Sequence, residues 1–82
     1  MNLDQLLQEV ASGRRGFQAN GDSVNELSAF QSIAQLIIDA GNSGYLHGVI
    51  PRKESFTGND FYSVVMVKGL TDLGNRHLDG DI

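Results

Sequence analysis

The segment Phe61-Tyr62-Ser63-Val64-Val65-Met66-Val67 constrains this chain more than any other. It is β-branched and aromatic almost throughout, the strongest strand signal in the sequence, and it is apolar on both faces of a pleat. A strand cannot stand alone, and a two-stranded hairpin is marginal unless helices cover one of its faces. The second apolar face must then lie in the core or meet another chain.

The partner strand is read at Tyr45–Ile50, stopped by Pro51. Strands over 45–50 and 61–67 form the simplest antiparallel hairpin. The polar stretch 51–60 (PRKESFTGND), ending in the turn signal Thr57-Gly58-Asn59-Asp60, would make a long, mobile tip. Helices supply the cover. Over 2–11, Leu3, Leu6, Leu7 and Val10 recur at i, i+3, i+4 and i+7, with Asn2 as cap and Gln5 placed to complete a capping box. Ser23-Val24-Asn25-Glu26 is a second capping box. It opens a helix over 23–40 with Leu27, Phe30, Ile33, Ala34 and Ile37 on one face and Gly41 as its stop. Leu36 and Ile38 fall outside that stripe. Between the helices, 12–22 (SGRRGFQANGD) has loop composition, with Phe17 as a lone aromatic anchor. Lys68-Gly69 breaks the strong strand, Thr71 caps a short helix within 71–79, and 80–82 is a tail. The expected fold is a two-layer α+β domain in the order α-α-β-β-α.

Only one core is possible. A chain of 82 residues buries roughly 60–65% of its unfolded surface, which supports a stability on the order of 5 kcal/mol unless a second copy adds burial. With no cysteine there is no disulfide and no thiolate metal site, which suits a reducing, cytoplasmic setting. The N-terminal stretch is acidic and amphipathic, unlike a signal peptide. The longest fully apolar run is Val64–Val67, far short of the ~18 residues of a membrane span. Ten acidic residues against six basic ones give a net charge of −4, which opposes non-specific attraction to nucleic acid or anionic lipid.

The second half, roughly 30–79, resembles the C-terminal part of winged-helix domains. The features that carry this are Asp39-Ala40-Gly41, Gly44-Tyr45-Leu46, the polar wing around 51–60, and Leu70-Thr71-Asp72-Leu73-Gly74-Asn75-Arg76-His77-Leu78-Asp79. The pattern is similar to that of small bacterial and phage proteins of the winged-helix type. These positions serve packing: leucine before a threonine cap staples the strand to the helix, and Gly74 permits close approach. A full winged helix has three helices before the wing, whereas two are legible here. Either a one-turn helix hides in 12–22 or the fold has kept the wing half alone.

Catalytic chemistry finds little support. His47 and His77 are the only imidazoles, at no metal-ligand spacing. The serines lack an adjacent base, the carboxylates are dispersed, and Gly13-Arg14-Arg15-Gly16 lacks the lysine of a phosphate loop. No catalytic, metal or cofactor residue is assigned, and the chain is not expected to be an enzyme. Two basic pairs, Arg14-Arg15 in the loop and Arg52-Lys53 at the wing, could form an anion-binding or nucleic-acid face together with Lys68. Ordinary solvated charge explains them as well. Leu36, Ile38, Tyr62 and Met66 could form an interface. The favoured expectation is a regulatory or interaction module that contacts a protein partner or a second copy of itself. A small DNA-binding regulator is the alternative.

Overall fold

A computed structural model describes residues 1–21, 23–56 and 58–80, with backbone alone at position 56. Asp22 of the glycine-rich loop, Thr57 of the expected turn and Asp81-Ile82 of the tail lie outside the described residues. The architecture is α+β, with three helices and antiparallel strands. In chain order the elements are α1 (Leu3–Ala11), β1 (Gly16–Gln18), α2 (Val24–Asn42), β2 (Leu46–His47), β3 (Ile50–Phe56), β4 (Asn59–Met66), β5 (Gly69–Leu70) and α3 (Asp72–Leu78). No described helix is long and apolar enough to cross a membrane.

The helices start where side chains satisfy their free N–H groups. Asn2 and Gln5 form a full capping box on α1. Ser23 caps α2 by accepting from the Glu26 N–H, but the reciprocal half of the expected box is missing. Its hydroxyl donates instead to the Glu26 carboxylate at 3.0 Å. Helix α2 runs past Gly41 to Asn42, and Gly44, at φ +89°, provides the left-handed exit. Gly41 has another use: a Cβ there would lie 2.8 Å from a methyl of Val49, so its bareness lets the chain after β2 pack against α2.

The strands depart from the expected hairpin in three ways. Of the expected strand Tyr45–Ile50, Ile50 alone pairs with 61–67, opposite Met66; Leu46 and His47 pair with Leu70 and Gly69 in a separate two-stranded ladder. Residues 51–56 are a strand rather than a mobile tip, paired antiparallel with β4 as far as Phe56 and Asn59. Pro51 therefore sits inside β3 instead of ending a strand, which is permissible because β3 is an edge strand and a missing N–H can face outward there. Finally, 12–22 holds no helix among its described residues but a three-residue strand, β1, pairing with β4. The sheet order is β1-β4-β3.

One face of this sheet carries the core. Phe17, Val65 and, just beyond β4, Val67 are buried with Leu6, Leu7 and Val10 of α1 and with Phe30, Ala34, Ile37 and Ala40 of α2. Helix α3 closes the other end. Thr71 caps it by accepting from the Gly74 N–H, while its own hydroxyl donates to the Gly44 carbonyl. Gly74 is buried, and a Cβ there would fall 2.2 Å from the Tyr45 carbonyl oxygen. The close approach is thus to the backbone of the chain entering β2. His77 Nε2 lies 2.8 Å from Asp4 Oδ1, which links α3 to α1.

Candidate functional site

Among the described residues, no helix lies on the opposite face of the three-stranded sheet. Directly paired residues of an antiparallel sheet point to the same side. The Phe17–Val65–Pro51 row faces the helices, so the rows on either side of it face out: Gly16–Met66–Ile50 and Gln18–Val64–Arg52. A Cβ on Gly16 would meet the Met66 sulfur at 3.2 Å, which places the methionine over that glycine. Ile50 and Met66 are 52% and 43% exposed, among the largest exposed apolar side chains described. Lys68 continues the alternation, its aliphatic stem lying against Gly48. The open face is thus an apolar row with Arg52 on one side and Lys68 on the other.

A bulge in β4 resets the alternation below this row. Arg52 pairs with Val64 but Lys53 pairs with Tyr62, so Ser63 is the extra residue. The bulge turns Tyr62 onto the covered face, where its ring packs against the core and the Lys53 ammonium lies 4.8 Å from its centroid. It also leaves backbone groups of Tyr62 needing partners. Gln31 of α2 supplies both: its Oε1 accepts from the Tyr62 N–H at 2.8 Å, and its Nε2 donates to the Tyr62 carbonyl at 2.8 Å. On the far side of the bulge, Glu54 pairs with Phe61 on the open face.

The five basic residues singled out in the sequence do not converge. Arg14 forms an ion pair with Glu9 at 2.7 Å and lies over the Phe17 ring, 4.2 Å from its centroid. Arg15 donates to the carbonyls of Val10 and Arg14, closing the end of α1. Both arginines therefore hold the turn between α1 and β1. Lys53 sits on the covered face over Tyr62, which leaves Arg52 and Lys68 on the open face. Neither Arg52 nor Lys68 takes part in an ion pair among the described residues.

The four candidate interface residues also separate. Leu36 is half-buried beside Leu3 and Tyr45, Tyr62 packs on the core, and Ile38 lines a shallow groove with Leu46, Val49 and Pro51. Only Met66 belongs to the open face. Ile50, its cross-strand partner, gives no such signal in the sequence, where it stands as the last strand residue before Pro51. A second groove, between β1 and α2, is lined by Ala19, Phe30 and Ile33, with Glu26 the only titratable group among the described residues that line it. Glu26 is already bonded by Ser23. Among the described residues no three potential metal ligands cluster.

No family model, no curated protein and no solved structure matches this chain.

Proposed function

We propose that this chain is a non-enzymatic interaction module, regulatory in role, that works through the open face of its three-stranded sheet. The observation that carries the reading is the exposed Ile50–Met66 pair at the centre of that face, flanked by Arg52 and Lys68. An apolar centre with charge at its border is how protein-recognition surfaces are built, with affinity concentrated in the buried middle. The resemblance to winged-helix domains supports the reading as a frame only: such domains carry a hairpin wing, and this chain has a β3–β4 hairpin followed by a short helix capped by Thr71. The third helix of that frame is absent among the described residues, which weighs against DNA reading by a helix pair.

The test is a photo-crosslinking amino acid at position 66, irradiated in cells. One protein, identified by mass spectrometry, is expected as the adduct. It should disappear when Ile50→Lys is added and should not form when the crosslinker is moved to Ser32, on the exposed side of α2. The same adducts from both positions, or none, would reject the reading.

A DNA-binding regulator is the second reading, supported by Arg52 and Lys68 on one open face without ion-pair partners among the described residues. Anisotropy titration of a labelled duplex at several salt concentrations decides it: binding should weaken steeply with salt, and Arg52→Glu should lower both affinity and slope. No binding at low salt sets this reading aside.

A further inference from the structure

Strand β3 is the long free edge of the sheet, since its order is β1-β4-β3 and residues 50–55 are all exposed. The other edge, β1, has three residues. A free edge presents a row of unpaired backbone N–H and C=O groups, and proteins usually blunt it with charged side chains or with proline, as Pro51 does near one end of β3. Here Arg52-Lys53-Glu54 places both signs on the edge, in an order whose reversal about Lys53 sets arginine against glutamate.

We propose that β3 pairs antiparallel with β3 of a second copy, with the twofold axis at Lys53, joining two three-stranded sheets into one of six strands. The proposal goes beyond the interaction reading above: it adds a second protein contact at the sheet edge and leaves the open face free. If the helices of both copies are to stay on one side, residues of the same side-chain direction must pair, which requires a twofold axis on a residue rather than between residues. Centred on Arg52, such a pairing opposes two arginines on the open face; centred on Glu54, it opposes two glutamates. Centred on Lys53, it sets Arg52 of each copy opposite Glu54 of the other, giving two opposite-charge pairs on the open face. Directly opposed charges of unlike sign stabilise a sheet, and like charges destabilise it.

The residue on the axis fits as well. Lys53 points to the covered face, where its ammonium is already drawn over Tyr62 of its own chain rather than toward its symmetry mate. Pro51 falls opposite Ser55 and withdraws at most one ladder bond from each half, because it lacks an N–H. The Ser55 hydroxyl stays bonded to Asp60 of its own hairpin at 2.8 Å, clear of the seam. In the paired state the two open faces run on as a single surface.

Sedimentation velocity of the full chain, from micromolar to millimolar concentration, tests the pairing. A reversible dimer is expected. Arg52→Glu and Glu54→Arg should each weaken it by about tenfold or more, because two attractive pairs become repulsive at once. The double variant R52E/E54R should return association to within a few-fold of the original, since the charges have only exchanged places. Circular dichroism checks that each variant is folded, and the double variant guards against a trivial loss of fold. A monomer at all concentrations, insensitivity to the single reversals, or a double variant as weak as the singles would overturn the pairing. A monomer whose position-66 crosslinker still traps one protein defeats the edge pairing alone. A charge-dependent dimer that yields no adduct from position 66 defeats the open-face reading alone.

Discussion

Val65 and Met66 are neighbours on β4, similar in apolar character, yet one is fully buried and the other 43% exposed. Their strand partners share their fates: Phe17 lies with Val65 under the helices, and Ile50 lies with Met66 in the open. The difference comes from period-2 alternation combined with helices on one side only. Apolar residues on the covered face hold the fold together. The same residue types on the other face are free to meet a partner.

Substitutions can sharpen or break this contrast. Phe17→Ala, on the covered face, is expected to cost about 3–5 kcal/mol, most of what a chain this small has available. Urea unfolding should show a transition largely lost at room temperature. Gly74→Ala drives a methyl into the Tyr45 carbonyl and should cost about 1–3 kcal/mol or more, read as a lower urea midpoint at unchanged slope. Gln31→Leu keeps the volume but strands the Tyr62 N–H and C=O at the bulge. A loss of about 1–3 kcal/mol is expected, with faster hydrogen exchange at the Tyr62 amide. Met66→Lys on the open face should move stability by less than about 0.5 kcal/mol while abolishing whatever that face binds. A Met66→Lys protein as damaged as Phe17→Ala would mean the two faces do not differ in the way described.

Helices α1 and α2 were legible in the sequence because each repeats apolar residues over two or more turns, and all three helices begin at a side chain that can cap them. Asn2, Ser23 and Thr71 stand where the sequence places them. The strong strand was legible for the same reason of pattern, and so was the two-layer α+β class. Its partner was not. Ile50–Phe56 is polar because an edge strand with one open face has little to bury, so it carries the composition of a loop, and Pro51 reinforced that reading. Strand β1 offers only Phe17 as a signal, and β2 and β5 are two residues each, too short for any periodicity to show. The site was half legible. Met66 and Arg52 are visible as an exposed apolar residue and a wing cation, whereas Ile50 joins them only once the register is known. Gln31 reads as an ordinary solvated helix residue. Its task appears only when a bulge on a strand 31 residues away leaves a peptide group in need of a partner.

The contact between His77 and Asp4 spans 73 positions of sequence, so the first and last helices are neighbours in space. A tensile load applied through these two helices would act on that contact first, peeling α3 from α1 before any strand of the main sheet is sheared. The hairpin lies outside this line of force. The fold therefore has a mechanically soft seam where its terminal helices meet, and a stretched chain would lose α3 while β1, β4 and β3 stayed paired.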